Sequence, residues 1–230
     1  MNTLQLTFLF LGIITSIFFF LSNVFYGWLI KKASKRVQEV NMMAYFGKPL
    51  WEFKKDEITF KLGYLPLNAY LKPYDADEIY NEINEFTRKS IMVQLVIFLV
   101  SGLYLYVNQM DFLVGFESLK KMGQFAVESI DYKNFKSFFA AHATSKLTYF
   151  FFLLNSFSAL MMMYAFFQYV LFKQRILLLI IGTFFSFSIL YFFYKMETHI
   201  SFLQIGVYWV SSLFLSALFL LLSTKLISNK

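Results

Sequence analysis

The 230-residue sequence contains no cysteine, which excludes a disulfide framework and any thiolate metal site. Charge is scarce as well: 15% of the residues are Asp, Glu, Lys or Arg, against roughly 25% in soluble domains. There are two histidines, His142 and His199. Neither has a second histidine or an acid at metal-ligand spacing, Glu197 being the one acid near His199. Loop histidines at an interface are the plain interpretation. No Gly-rich phosphate loop and no internal repeat is present. The long apolar runs hold no charge at all, whereas proton relays, pumps and voltage sensors depend on intramembrane acids or bases. Independent coupled transport is therefore disfavoured.

What the chain does have is apolar surface: 58% hydrophobic residues, 22% aromatic, and 32 phenylalanines. Five charge-free stretches, 4–30, 90–107, 147–172, 176–194 and 201–224, are long enough to span a bilayer, which takes about 20 residues. The first lacks a basic leader and a small-x-small cleavage site, so it is expected to stay as a helix. The expected fold class is an all-α polytopic membrane protein with about five transmembrane helices. The +7 charge is assigned to cytoplasmic loops and not to nucleic acid. With the amino terminus outside, fifteen Lys and Arg fall inside and six outside. The bias predicts N-out and C-in; the expected location is a bacterial cytoplasmic membrane.

The connections carry their own patterns. Lys31 to Arg36 form a basic collar suited to phospholipid head groups. Within 49–65, Trp51 and Phe53 alternate with Glu52 and Lys54. After Lys55-Asp56-Glu57, the residues Ile58, Phe60, Leu62 and Tyr64 alternate with Thr59, Lys61 and Gly63. Period two predicts a β-hairpin between the first and second spans. A lone hairpin is marginal in water, so a membrane-associated one needs an apolar support. Residues 74–90 run from acids to bases and read as an interfacial helix. The 108–146 loop interleaves phenylalanines with lysines and predicts one or two amphipathic helices. Among polar residues inside spans, Asn155 lies beside Ser156, Ser158 and Ala159, a pattern for helix–helix hydrogen bonding.

Residues 46–73 read FGKPLWEFKKDEITFKLGYLPLNAYLKP. Phe46-Gly47-Lys48-Pro49 and Pro66-Leu67-Asn68-Ala69-Tyr70-Leu71 flank the hairpin. This arrangement resembles the site-2 protease family of intramembrane zinc metalloproteases, in which an FGP segment, a β-hairpin and a PLGGYV run follow the zinc-binding helix. The family spacing puts its HExxH motif on Val24-Phe25-Tyr26-Gly27-Trp28. Gly27 falls on the glycine of the bacterial H-E-x-G-H form, Val24 and Trp28 on the histidines, and Phe25 on the glutamate. The second motif, N-x-x-P-x-x-x-L-D-G-G, begins at Asn155, with Ser158 at the proline, Met163 at the aspartate, and Tyr164 and Ala165 at the glycines.

The resemblance covers residues 5–172 and is densest at 46–71; the family's PDZ domain, which would fall in 108–146, is missing. It implies a single membrane domain over 1–230, with a protease-like core at 1–172 and two further spans at 173–230. It also implies a catalytically inactive member with no metal and no cofactor. Valine and tryptophan cannot bind zinc, methionine is ill suited to it, and phenylalanine cannot serve as a general base. Phe25 and Trp28 are expected to plug the former metal cavity. In the family the hairpin presents substrate as an extended strand. A binding, assembly or regulatory subunit for another membrane protein or peptide is therefore the leading expectation, with Gly27, Trp51, Phe53, Pro66, Asn68 and Asn155 as partner contacts. Two alternatives stand beside it: a structural subunit of a membrane transport or export complex, and a membrane enzyme with an unrecognised site.

Overall fold

The computed structural model describes residues 3–32, 36–73, 80–127, 129–171 and 200–227. The apolar run 176–194, Lys173, Arg175, Lys195 and His199 lie outside them. In chain order the elements are α1 (Thr3–Lys32), β1 (Val37–Ala44), β2 (Trp51–Lys55), β3 (Ile58–Leu62), β4 (Leu65–Pro73), α2 (Tyr80–Val107), α3 (Val114–Ala126), α4 (Tyr132–Ala141), α5 (Lys146–Leu171) and α6 (Phe202–Leu226). The chain is mostly helical. Among the described residues, four helices are long and apolar enough to cross a bilayer: Gln5–Lys32, Arg88–Val107, Lys146–Phe167 and Phe202–Leu226. The expected interfacial loop holds two short helices, α3 and α4. Asp131 caps α4 by accepting from the Asn134 N–H at 2.7 Å.

The expected hairpin is half of a larger sheet, with strand order β2-β3-β1-β4. β2 and β3 pair antiparallel from Trp51↔Leu62 to Lys55↔Ile58. Asp56 and Glu57 between them both take positive φ, 49° and 66°, as a two-residue type I′ turn requires. β1 runs parallel to β3 (Val40↔Phe60) and antiparallel to β4 (Val40↔Leu71). Pro66 and Pro73 are accommodated because β4 lies at an edge.

The chain packs as two compact units, Met1–Thr7 with Thr87–Phe202, and Phe8–Phe86 with Leu203–Lys230. In the second unit, one face of the sheet covers α1 and α6 through Val40, Met42, Ile58, Phe60, Leu62 and Leu71, which meet Ile30, Leu220 and Ile227. The contacts of α1 and α6 ascend together. A Cβ on Gly12 would overlap Ser211 Oγ, the Ser16 hydroxyl donates to the Ser212 carbonyl at 3.0 Å, Phe20 stacks on Phe219 at 4.6 Å, and Gly27 abuts Ile227. The two helices are therefore parallel, joined by small residues that let the backbones approach.

The first unit is tied by Asn155. Its Oδ1 accepts from the Gly115 N–H at 2.9 Å, and its Nδ2 donates to the Phe98 carbonyl at 2.9 Å and to Ser101 Oγ at 3.0 Å. One fully buried amide thus joins α2, α3 and α5. Tyr104 stacks on Phe151 at 4.1 Å, and Tyr149 shares a 2.6 Å hydrogen bond with Thr7. Phe125 and Phe135, stacked at 4.8 Å, form a small satellite core under α3 and α4.

Candidate functional site

The sheet of the second unit offers the most surface chemistry. Its core face carries Ile58, Phe60 and Leu62, all nearly fully buried. The opposite face carries Glu39, Lys61 and Tyr70 on three neighbouring strands. Lys61 Nζ donates to Glu39 Oε2 at 2.7 Å, and the Tyr70 hydroxyl donates to Glu39 Oε1. Both ends of the Lys61–Glu39 pair are largely shielded, at 19% and 13% side-chain exposure. The bond to Glu39 holds the Lys61 ammonium above its ordinary range. Burial, helped by the bond to Glu39, pushes the Tyr70 phenol up. Asn41 lies in register between Lys61 and Tyr70, and its side-chain oxygen is buried without a hydrogen-bond partner. Asn23 on α1 donates to the Asn41 carbonyl at 3.0 Å, which clamps β1 to the helix.

The two sheet edges differ. At β4, the Tyr208 hydroxyl donates to the Pro66 carbonyl at 3.3 Å and the Trp209 indole to the Tyr64 carbonyl. That edge meets α6. At β2, the hydrogen-bonded pairs Lys55↔Ile58 and Phe53↔Phe60 leave the backbone N–H and C=O of Glu52 and Lys54 pointing outward. No strand pairs there among the described residues.

No family model, no curated protein and no solved structure matches the chain.

The sequence-derived positions distribute as follows. Trp51 is 40% exposed on β2 and packs 4.9 Å from Phe53, which stacks on Phe60 at 5.2 Å. Pro66 lies in β4, its carbonyl engaged by α6. The backbone of Asn68 is also in β4. Gly27 is buried against Ile227 and Leu71, and Asn155 is fully buried with its amide satisfied internally. Val24, Phe25 and Trp28 lie on α1 in the second unit, and Met163 lies on α5 in the first.

Phe25 and Trp28 stand 6.0 Å apart, ring centre to ring centre. Trp28 is 51% exposed, with the Lys32 ammonium 5.7 Å from its ring. The reason is helical phase. Asn23, Gly27 and Ile30 form the buried stripe of α1, and Trp28 stands off it. Met163 is itself 38% exposed. His142 shares a 2.7 Å hydrogen bond between Nδ1 and the Phe138 carbonyl and stacks on Phe152 at 4.6 Å, a packing role. Among the described residues, no three His, Cys, Asp or Glu gather as a metal group would require. Two features escaped the sequence reading, the Glu39-centred ladder and the Gly12/Ser16 seam. The second carries a legible signal: Gly12 and Ser16, and Ser212 and Ser216, are each four apart.

Proposed function

We propose that this chain is a multi-span membrane protein with a site-2 protease-like core, catalytically silent, that grips an extended segment of a partner membrane protein along the outer edge of β2. The observation that carries this reading is the asymmetry of the sheet: β4 is met by α6, while β2 presents outward N–H and C=O groups beside an exposed Trp51. An edge of this kind accepts a strand. Valine, phenylalanine, tryptophan and methionine at the former metal and base positions support a binding role over a hydrolytic one. The basic collar at Lys31–Arg36 gives the inner face its attraction for phospholipid head groups.

Proline tests the edge without breaking the hairpin, because residues 52 and 54 spend no hydrogen bond on β3. Glu52→Pro and Lys54→Pro are expected to reduce copurification of the stoichiometric partner after mild solubilisation by about tenfold. The circular dichroism spectrum should stay that of the parent. Undiminished recovery from folded variants refutes strand addition at β2.

The reading includes five crossings. Parallel neighbours need an odd number of crossings between them, and α2 and α5 supply two. The third is assigned to the apolar run 176–194. The termini then lie on opposite sides, N-out and C-in. Because the chain lacks cysteine, Asn2→Cys and Ser228→Cys can each be labelled on a silent background. An impermeant maleimide applied to intact cells is expected to label the first and not the second. Labelling of both, or of neither until lysis, rules out this topology.

A further inference from the structure

The outer edge of β2 carries a charge pattern that selects what can pair with it. Residues alternate across the sheet, so Trp51 and Phe53 share the core face while Glu52 and Lys54 share the opposite one, both exposed. Neither charge is matched within the sheet. Thr59 stands across from Lys54, and across from Glu52 stands Lys61, whose ammonium is bonded to Glu39 at 2.7 Å. Among the described residues the ion pairs are Arg36–Glu57 and Lys61–Glu39, and neither includes Glu52 or Lys54.

A strand added at this edge sets one side chain directly beside each of these two, with Cβ atoms about 5 Å apart. Opposite charges in such a pair are favourable and like charges are not. Glu52 and Lys54 differ in sign, so a guest matches both only by alternating in sign at the same spacing. The guest residue between the two charges falls beside Phe53, whose ring stacks on Phe60. That position calls for an apolar side chain.

A second copy of this chain does not fit. Glu52-Phe53-Lys54 complements itself when antiparallel, but the two copies are then related by a two-fold axis normal to the sheet. The sheet lies face-on along α1 and α6, from Leu71 at Gly27 to Pro66 at Tyr208. An axis normal to it is perpendicular to both helices and turns those of the second copy over in the bilayer, against an N-out, C-in orientation. Parallel pairing in register sets Glu52 beside Glu52 and Lys54 beside Lys54. The occupant is a different chain.

We infer that β2 takes an extended segment of another membrane protein in which an acidic and a basic residue flank one apolar residue. The acid lies beside Lys54, the base beside Glu52, and the apolar side chain against Phe53. The inference rests on the strand-edge reading and specifies the chemistry of its guest.

The test uses the full chain in an uncharged detergent and fluorescent peptides of about nine alternating Thr and Val residues. The two threonines flanking the central Val are replaced by Asp and Lys, by two Asp, by two Lys, or by two Gln. Fluorescence anisotropy reads binding. The Asp–Lys peptide is expected to bind about fivefold more tightly than either doubly charged peptide. Glu52→Lys should move the preference to the doubly acidic peptide, and Lys54→Glu to the doubly basic one. Equal binding of the three charged peptides to the parent, a preference that neither variant moves, or no binding of any peptide overturns the proposal. The Gln peptide separates the two readings, because it pairs without charge. If Glu52→Pro weakens it while the parent binds the charged peptides equally, the strand edge stands and the charge match fails. Undiminished binding of the Gln peptide to Glu52→Pro sinks the edge itself. Differently tagged copies of the chain that copurify, and part on Glu52→Pro, assign the edge to a second copy and also overturn the proposal.

Discussion

Gly12→Leu is expected to lower the thermal midpoint in mild detergent by about 10 °C. Any side chain at residue 12 drives its first carbon into Ser211 Oγ and within 2.8 Å of the Tyr208 carbonyl oxygen. The hydroxyl can rotate; the carbonyl belongs to the backbone of α6 and cannot. Overpacking of this kind costs about 3 kcal/mol, and a protein of this size loses roughly 2–4 °C per kcal/mol. The α1–α6 seam would also lose the Ser16 bond to the Ser212 carbonyl as the helices part. Gly206→Leu on α6 is the matched control, since a Cβ there meets nothing within 4 Å. Its midpoint should stay within about 2 °C of the parent. Ser211→Gly in the Gly12→Leu background should recover part of the loss and no more, because the Tyr208 carbonyl remains. Equal effects of the two leucine substitutions would show that the seam is not closely packed.

Asn155→Leu has the second large expected effect, and it acts on the other unit. Leucine fills nearly the same volume, so the change isolates hydrogen bonding. The Gly115 N–H loses its acceptor in a fully buried place, and the Ser101 hydroxyl loses a donor. An orphaned buried N–H costs about 1–3 kcal/mol, and the interhelical bonds add up to nearly 2. A fall in midpoint of about 8 °C follows. Limited proteolysis should open the α3 region first, because Gly115 anchors α3 to α5. Phe166→Leu, at a 54% exposed site on the same helix, should leave both readouts unchanged. Intact resistance of α3 in Asn155→Leu would mean that apolar packing alone holds it.

Much of this architecture could be read from the residue order, and the failures have physical causes. The alternation in 51–62 was legible because that hairpin has one buried face and one wet one. β1 was not, since Val40, Asn41, Met42 and Met43 are all buried. A central strand shielded by neighbours on both edges, with Met43 at φ 71° and irregularities at Val37/Glu39 and Met42/Ala44, loses its period. β4 was hidden by Pro66 and Pro73, which usually punctuate loops and are tolerated here at an edge. Asn155 could be recognised as polar in an apolar run, but its acceptor role toward Gly115, forty residues earlier in the chain, is set by packing. The outward phase of Trp28 escaped for the reverse reason: α1 is apolar on every side, so nothing in its order marks which side is covered.

The sheet-bearing unit is assembled from two widely separated stretches, Phe8–Phe86 and Leu203–Lys230. During synthesis, at roughly 5–20 residues per second, the strands leave the ribosome many seconds before α6. Throughout that interval the surface destined for Leu220 and Ile227 has no cover, and β4 waits for Tyr208 and Trp209. α6, made well after the strands, is the clasp of their sheet. A stop codon just before residue 202 would leave every described strand encoded and the sheet without the wall that α6 supplies.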